Sequence, residues 1–243
     1  MRRITFFAMF IILVLLPPAF AAETVRFERP DGAVLQGTLR LATTEGKSPA
    51  VLLIHQAQRS QSEFDFLQED LLALGFHTLT IDLRGHGDST KPDTLDRAFF
   101  MKLFRDPEFA PPDVFAILHW LREHERVDGD RIAAMGGSVG ANLSYIATGI
   151  SSPVRTAISL SGNAEAVADL SSRIEGFSPR SVLLLAADND HGRDAYARTM
   201  FEQAGDPKRL EILEGSSAHG TDLLRESEDF RRIVLQWLQA QLK

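Results

Sequence analysis

The chain alternates short apolar runs with segments of helical periodicity, and this order constrains its fold more than any other feature. An opening hairpin is predicted over residues 24–27 and 34–41. Six further apolar runs predict strands at residues 50–54, 77–81, 131–135, 156–160, 182–185 and 210–213. Helical periodicity occupies residues 64–74, 114–121, 141–147, 195–203 and 223–242. Continuous apolar strands separated by amphipathic helices predict an α/β fold, with a mostly parallel eight-stranded sheet covered by helices on both faces.

The N-terminus has the pattern of a secretory signal peptide over residues 1–21. Two arginines precede an uncharged run over residues 4–16, which two prolines end. That run is shorter than the roughly 20 residues that cross a bilayer as a helix. We therefore expect cleavage after Ala21 or Ala22, no stable membrane insertion afterwards, and export to the periplasm or the medium. Residues 22–243 are expected to form one domain.

Composition excludes several classes of function. The chain contains no cysteine, so disulfides and thiolate metal sites are ruled out. Its formal net charge is −7, and it has no block rich in lysine or arginine. This balance argues against binding to nucleic acid or to anionic membranes. No histidine cluster has metal-ligand spacing, and we expect neither a metal nor another cofactor.

A serine between two glycines, in the stretch "GGSVG", lies between a predicted strand and a predicted helix. This context is typical of a nucleophile elbow, in which a sharp turn holds Ser138 in a strained backbone conformation. Gly136 and Gly140 would relieve the crowding around it. The turn would also place the Val139 N–H at a helix N-terminus, where it can bind an oxyanion. The alternative is a glycine-rich turn with an unused serine.

A serine nucleophile needs a base, and His219 is the best placed of the seven histidines. It lies just after the last predicted strand, in a loop that can reach the elbow. The loop after strand 182–185 supplies Asp188 and Asp190 as candidates to orient that base. The alternative for either aspartate is a solvated turn or a helix cap.

These motifs resemble those of the alpha/beta-hydrolases, and the resemblance runs from about Val25 to the C-terminus. It includes "GGSVG", "LLIHQAQRS", "LLALGFHTLTIDLRGHGDS", the acid loop and "GSSAHGTDLL". In this superfamily the acid follows a glycine and two variable residues, and that register selects Asp190, with Asp188 as the fallback. The resemblance also implies a structural role for His86.

The second oxyanion donor of the superfamily comes from the loop after the third strand, commonly after a His-Gly pair. Here His55 is followed by Gln56 and Ala57, a departure that resembles the dienelactone hydrolase branch and implies the Ala57 N–H as donor. Gln56 or Gln58 is a candidate for a side-chain contact to substrate. Aromatic residues further along the chain are candidates for an acyl pocket or for core packing: Phe99, Phe100, Phe104 and Phe109.

The sequence thus predicts an exported serine hydrolase acting on carboxylic esters, with small-molecule substrates as its partners. Only about 20 residues separate Ser161 from Ser181, which leaves no room for a large lid there and favours small soluble esters. Three alternatives stay open. They are another acyl-transfer chemistry on the same triad (a lactone or thioester hydrolase, or a peptidase), a non-catalytic periplasmic binding protein of the same fold, and a protein of cell-envelope assembly. The sequence does not indicate the oligomeric state.

Overall fold

The computed structural model describes residues 22–90, 95–150 and 153–243, and these residues build one eight-stranded sheet. Its strand order is β1-β2-β4-β3-β5-β6-β7-β8. The strands are β1 (Ala22–Glu28), β2 (Val34–Arg40), β3 (Ser48–Ile54), β4 (His77–Asp82), β5 (Val127–Gly137), β6 (Val154–Leu160), β7 (Arg180–Ala187) and β8 (Gly205–Leu213). Pairs β1–β2 and β2–β4 are antiparallel, and all the other pairs are parallel. The predicted fold class is confirmed. The predicted signal peptide lies outside the described residues.

The helices occupy the connections between strands, together with the C-terminus. They are α1 (Asp65–Ala73), α2 (Arg97–Arg105), α3 (Pro111–Glu123), α4 (Val139–Thr148), α5 (Ala164–Leu170), α6 (Arg193–Gln203), α7 (Asp222–Glu226) and α8 (Glu228–Leu242), with a short 3-10 helix at Gln61–Phe64 before α1. The predicted helix 223–242 is therefore two helices. They separate at Ser227, whose hydroxyl accepts a hydrogen bond from the Phe230 N–H and so begins α8.

Strand β3 shows how the sheet is covered on both faces. All seven of its residues are buried, and successive side chains point to opposite faces. Leu52 and Ile54 pack with residues of α2, α3 and α4, whereas Val51 and Leu53 pack with residues of α1 and α8. A strand buried on both faces needs apolar residues at every position, which explains the continuous apolar run in the sequence.

The parallel strands bring their carboxyl ends to one edge of the sheet, and functional loops gather at that edge in open α/β sheets. The residues that follow β3, β5, β7 and β8 therefore come together there. No helix in the described part of the chain is long and apolar enough to span a membrane.

Candidate active site

Ser138 is the single residue between β5 and α4. Its backbone has φ 52° and ψ −109°, a conformation that side chains disfavour. The Ser138 N–H donates to the carbonyl of Leu160 at the end of β6, over 2.9 Å, and the Ser138 carbonyl accepts from Asn142 in α4. The strand, the strained turn and the helix thus have the geometry of a nucleophile elbow.

The two glycines of the motif are required by close backbone packing. A Cβ on Gly136 would collide with the backbone of Gly140, and a Cβ on Gly140 would collide with the carbonyl of Ile54 in β3. Helix α4 therefore begins in direct contact with two neighbouring strands. This contact explains both glycines by sterics, independently of any chemistry at Ser138.

His219 and Asp190 form a hydrogen-bonded pair. Nδ1 of His219 lies 2.7 Å from Oδ2 of Asp190. The Asp190 side chain is only 3% exposed, whereas that of His219 is 33% exposed. Because a carboxylate accepts hydrogen bonds, Nδ1–H of His219 donates to Asp190, and Nε2 is the ring nitrogen that remains for other contacts.

Asp188 has a different environment. Its carboxylate accepts hydrogen bonds from the N–H groups of Gly215 (3.0 Å) and Ser216 (3.2 Å). These contacts shape the turn after β8. The structure thus brings Asp190 to His219, and it places the fallback residue Asp188 in a turn.

The histidine loop, residues 214–221, packs against the elbow. Gly137 packs closely against Gly220. A Cβ added to Gly137 would lie only 3.3 Å from the Gly220 Cα. The hydroxyl of Ser161, just after β6, accepts from the Gly220 N–H over 3.0 Å. Ser161 also has a positive φ, 57°. Within the described residues, Ser138 makes no direct hydrogen bond to His219.

The β3 loop, residues 55–58, carries the predicted second oxyanion donor. Ala57 is partly buried. The preceding carbonyl, that of Gln56, accepts from Nδ1 of His55 (2.7 Å) and from the Arg59 N–H (3.2 Å). In a trans peptide the Gln56 carbonyl and the Ala57 N–H share one plane and point in opposite directions. The two bonds to the carbonyl therefore set the direction of the Ala57 N–H. The other predicted donor, the Val139 N–H, belongs to the first residue of α4 and has no intrahelical acceptor.

Two histidines support the β3 loop. Nε2 of His55 accepts a hydrogen bond from the Leu83 N–H, and Nε2 of His86 accepts one from the Gln58 N–H. The donor–acceptor distance is 2.9 Å in both. Nδ1 of His86 donates to the carbonyl of Arg84. Burial lowers the pKa of His55 from 6.5 to about 4, so this ring is neutral at neutral pH.

The predicted substrate contacts lie in the β3 loop itself and near His86. The Gln56 side chain is buried beside Gly137 and Gly220, and its Oε1 has no hydrogen-bond partner among the described residues. Phe99 is buried in the core formed with α3, and Phe100 packs against the same core. The rings of Phe99 and Phe100 each lie 6.4 Å from that of His86. Phe104 and Phe109 also pack against this core.

Two polar residues at the site were not identified from the sequence. Ser161 holds the Gly220 N–H, as described above. Glu63 accepts hydrogen bonds from both the β3 loop and the histidine loop. The position of Ser161 at the end of the strand beside β5 is a signal that could have found it. Glu63 offers no such signal, because an acidic residue before a helix is common. The described residues contain no group of side chains that could hold a metal ion.

Comparisons with known proteins give one family. A family model described as alpha/beta hydrolase fold matches residues 49–219. No curated protein matches the chain.

Solved structures with the same fold include three named hydrolases. A dienelactone hydrolase from Anabaena variabilis has a TM-score of 0.72 at 20% identity, over 92% of this chain and 99% of its own. The esterase Pf2001 from Pyrococcus furiosus has a TM-score of 0.71 at 16% identity, over 92% and 94%. Acetyl xylan esterase 1 from a Thermoanaerobacterium species has a TM-score of 0.70 at 16% identity, over 94% and 86%. At these identities the likeness is one of fold.

Proposed function

The chain belongs to the alpha/beta-hydrolase fold family, and we propose that it is an exported serine hydrolase that cleaves carboxylic esters of small soluble substrates. The observation that carries the proposal is the 2.7 Å pair of His219 and Asp190, packed beside a strained serine at a strand-to-helix turn. A glycine-rich turn of purely structural function would need neither a buried carboxylate nor a partly exposed histidine there.

In the proposed reaction Ser138 is the nucleophile. Nε2 of His219 takes the proton from Ser138 Oγ as that oxygen attacks the ester carbonyl, and Asp190 stabilises the resulting imidazolium. The N–H groups of Val139 and Ala57 bind the oxyanion of the tetrahedral intermediate. His219 then protonates the departing alcohol. Water, deprotonated by His219, hydrolyses the acyl-enzyme and regenerates Ser138.

The proposed substrate size follows from the connection between β6 and β7. Helix α5, of seven residues, is its only helix, and we infer from this short connection that the site is open. An open site suits esters with short acyl chains and soluble alcohols. The names of the three similar structures, a dienelactone hydrolase and two esterases, support this substrate class.

The proposed location rests on the signal-peptide pattern of residues 1–21. In a bacterium, export would place the enzyme in the periplasm or outside the cell. Expression of the full chain, followed by N-terminal sequencing of the protein from the periplasmic fraction, tests this. A mature chain beginning at Ala22 or Glu23 is expected, and an intact precursor in the cytoplasm would contradict export.

Labelling with a fluorophosphonate tests the nucleophile and the base. Wild type is expected to be labelled, whereas Ser138→Ala and His219→Ala are not. Ser172→Ala, at an exposed serine after α5, is the matched control and should be labelled like wild type. A folded wild type that neither reacts nor hydrolyses any ester in a panel of rising acyl length would refute the assignment.

The choice of acid is tested separately with Asp190→Asn and Asp188→Asn. Because an asparagine at position 190 no longer fixes the His219 tautomer, we expect kcat to fall about 10⁴-fold. Asp188→Asn should change kcat by less than about threefold, since Asp188 contacts only the turn. Steady-state hydrolysis of a short-chain ester measures both. The reverse ranking would make Asp188 the acid and leave the serine mechanism intact.

A further inference from the structure

Glu63 is a buried acid that the proposed reaction does not use. It lies in the 3-10 helix before α1 and is 8% exposed. Its two carboxylate oxygens have different partners. Oε2 accepts from the Gln56 N–H over 2.8 Å, and Oε1 accepts from the Thr221 hydroxyl over 2.7 Å. One carboxylate thus joins the β3 loop to the histidine loop.

A charge at this position is costly for the fold. Burial raises the pKa of the Glu63 carboxyl above its ordinary value, while the hydrogen bonds from Gln56 and Thr221 act in the opposite direction. The guanidinium of Arg225 donates to the backbone carbonyl of Glu63. The hydrogen bonds to the carboxylate come from Gln56 and Thr221. An apolar side chain could fill the same space without this desolvation cost, but it would leave the buried Gln56 N–H without an acceptor. The carboxylate therefore serves to bind two donors, the Gln56 N–H and the Thr221 hydroxyl.

The two groups that Glu63 holds are each next to a proposed catalytic group. The Gln56 N–H is one peptide away from the Ala57 N–H, and Thr221 is two residues from His219. Gln56 is fixed on both of its peptide planes, by Glu63 at its N–H and by His55 and Arg59 at its carbonyl. Glu63 therefore helps to set both the direction of the oxyanion donor and its distance from the histidine loop.

We propose that Glu63 is a positioning residue, which holds the oxyanion donor Ala57 and the base His219 in register through its bonds to Gln56 and Thr221. This inference rests on the proposed function. A displacement of about 1 Å in such a site costs about 100-fold in rate, and complete loss of one oxyanion donor costs about 100- to 1,000-fold. The effect should appear in kcat and not in KM, because the oxyanion exists only in the transition state and the intermediate.

Four variants test this role. Glu63→Ala removes both bonds, and Thr221→Val removes only the bond to the histidine loop at nearly constant volume. Glu63→Gln keeps both bonds, because its carbonyl accepts from the Gln56 N–H and its NH₂ donates to Thr221 Oγ1. Glu69→Ala, at an exposed glutamate of α1, is the matched control. We expect kcat to fall about 10- to 100-fold in Glu63→Ala and about 3- to 30-fold in Thr221→Val, with KM unchanged. Glu63→Gln and Glu69→Ala should stay within about threefold of wild type.

Inhibition by a trifluoromethyl ketone, whose adduct with Ser138 carries an oxyanion, separates positioning from general destabilisation. Its inhibition constant should rise in Glu63→Ala and Thr221→Val by the same factor as kcat falls. The proposal is overturned if a folded Glu63→Ala keeps wild-type kcat, if the inhibition constant does not follow kcat, or if Glu63→Gln is no better than Glu63→Ala. Should Glu63→Ala fail to fold, Thr221→Val and Glu63→Gln decide the question.

Hydrogen exchange gives a readout that does not depend on activity. Amides of residues 55–60 and 216–222 should exchange faster in Glu63→Ala and Thr221→Val than in wild type or in Glu69→Ala. If wild type shows no hydrolase activity but these amides respond, the proposed function fails and the connection between the loops stands. If wild type is active but neither the amides nor kcat respond, Glu63 has no positioning role.

Discussion

The elbow at residues 136–140 and the β3 loop at residues 55–58 lie at the same edge of the sheet, yet different forces hold them in shape. The elbow is held by backbone packing, with Gly140 against the carbonyl of Ile54 and Ser138 in a strained turn. The β3 loop is held by the buried polar side chains of His55, His86 and Glu63, each of which bonds to its backbone. The elbow contains no titratable group, whereas the β3 loop depends on three.

Because the forces differ, the two regions should be vulnerable to different changes. Added volume should destroy the elbow, because backbone atoms cannot move aside to accept it. A change of protonation should disturb the β3 loop, because its histidines bond through specific ring nitrogens. We therefore expect the elbow to respond to steric changes and the β3 loop to respond to changes of charge.

The largest effect is expected for Gly140→Ala. The new methyl group would collide with backbone atoms of Ile54 and His55, and we expect the free energy of unfolding to fall by about 3 kcal/mol or more. Urea denaturation measures it. Gly205→Ala is the matched control, because a Cβ there meets only atoms 3.6 and 3.7 Å away. Equal stability of the two variants would show that steric packing does not hold the elbow.

A slightly smaller effect is expected for acidification, through His55. Its pKa falls from 6.5 to about 4 on burial. Between these values the unfolded chain binds a proton at His55 and the folded protein does not, so the free energy of unfolding rises with pH. The contribution of His55 should be lost progressively below pH 6.5 and should reach about 3 kcal/mol near pH 4. Urea denaturation of wild type and His55→Gln at pH 7, 5.5 and 4 measures it.

The His55→Gln variant should lose much of this pH dependence, whereas His119→Gln, at an exposed histidine of α3, should retain it. Glu63 acts with the opposite sign. Its raised pKa means that the folded protein binds the proton first as the pH falls, which offsets part of the loss. For that reason the difference between variants is the informative quantity. Identical pH profiles for wild type and His55→Gln would contradict the electrostatic account of the β3 loop.

The smallest effect is expected for Val139→Ala. Only the backbone N–H of this residue has a proposed role in catalysis, so kcat for a short-chain ester should change less than about threefold. The buried side chain loses two methyl groups, and the free energy of unfolding should fall by about 1–2 kcal/mol. Loss of nearly all turnover in a folded variant would mean that the elbow also depends on side-chain packing.

Local features of this molecule could be predicted from the sequence. The strands appear as apolar runs because both faces of the sheet are covered, and the elbow appears as "GGSVG" because its steric requirements fall within five residues. Helix α2 has no counterpart among the predicted helices. The break at Ser227 is also missed, because one serine cap interrupts the periodicity only briefly.

Features that depend on distant pairs could not be predicted in the same way. Asp188 and Asp190 are two residues apart in one polar loop; only the family resemblance selected Asp190, and the fold brings that residue to His219. The role of Glu63 could not be predicted either, because its partner Thr221 lies 158 residues further along the chain. The catalytic roles of Ser138, His219 and Asp190 stay predictions until the variants are measured.

The separation in sequence between Glu63 and Thr221 also bears on the order in which the chain can fold. During synthesis, the β3 loop and Glu63 are made first, and Thr221 follows 158 residues after Glu63. Their contact can close only after residue 221 has been made, and contacts between distant residues are slow to form. A chain that stops before residue 221 therefore contains the residues of the elbow but lacks the completed edge of the sheet around them. We expect the site to be among the last parts of the molecule to be assembled.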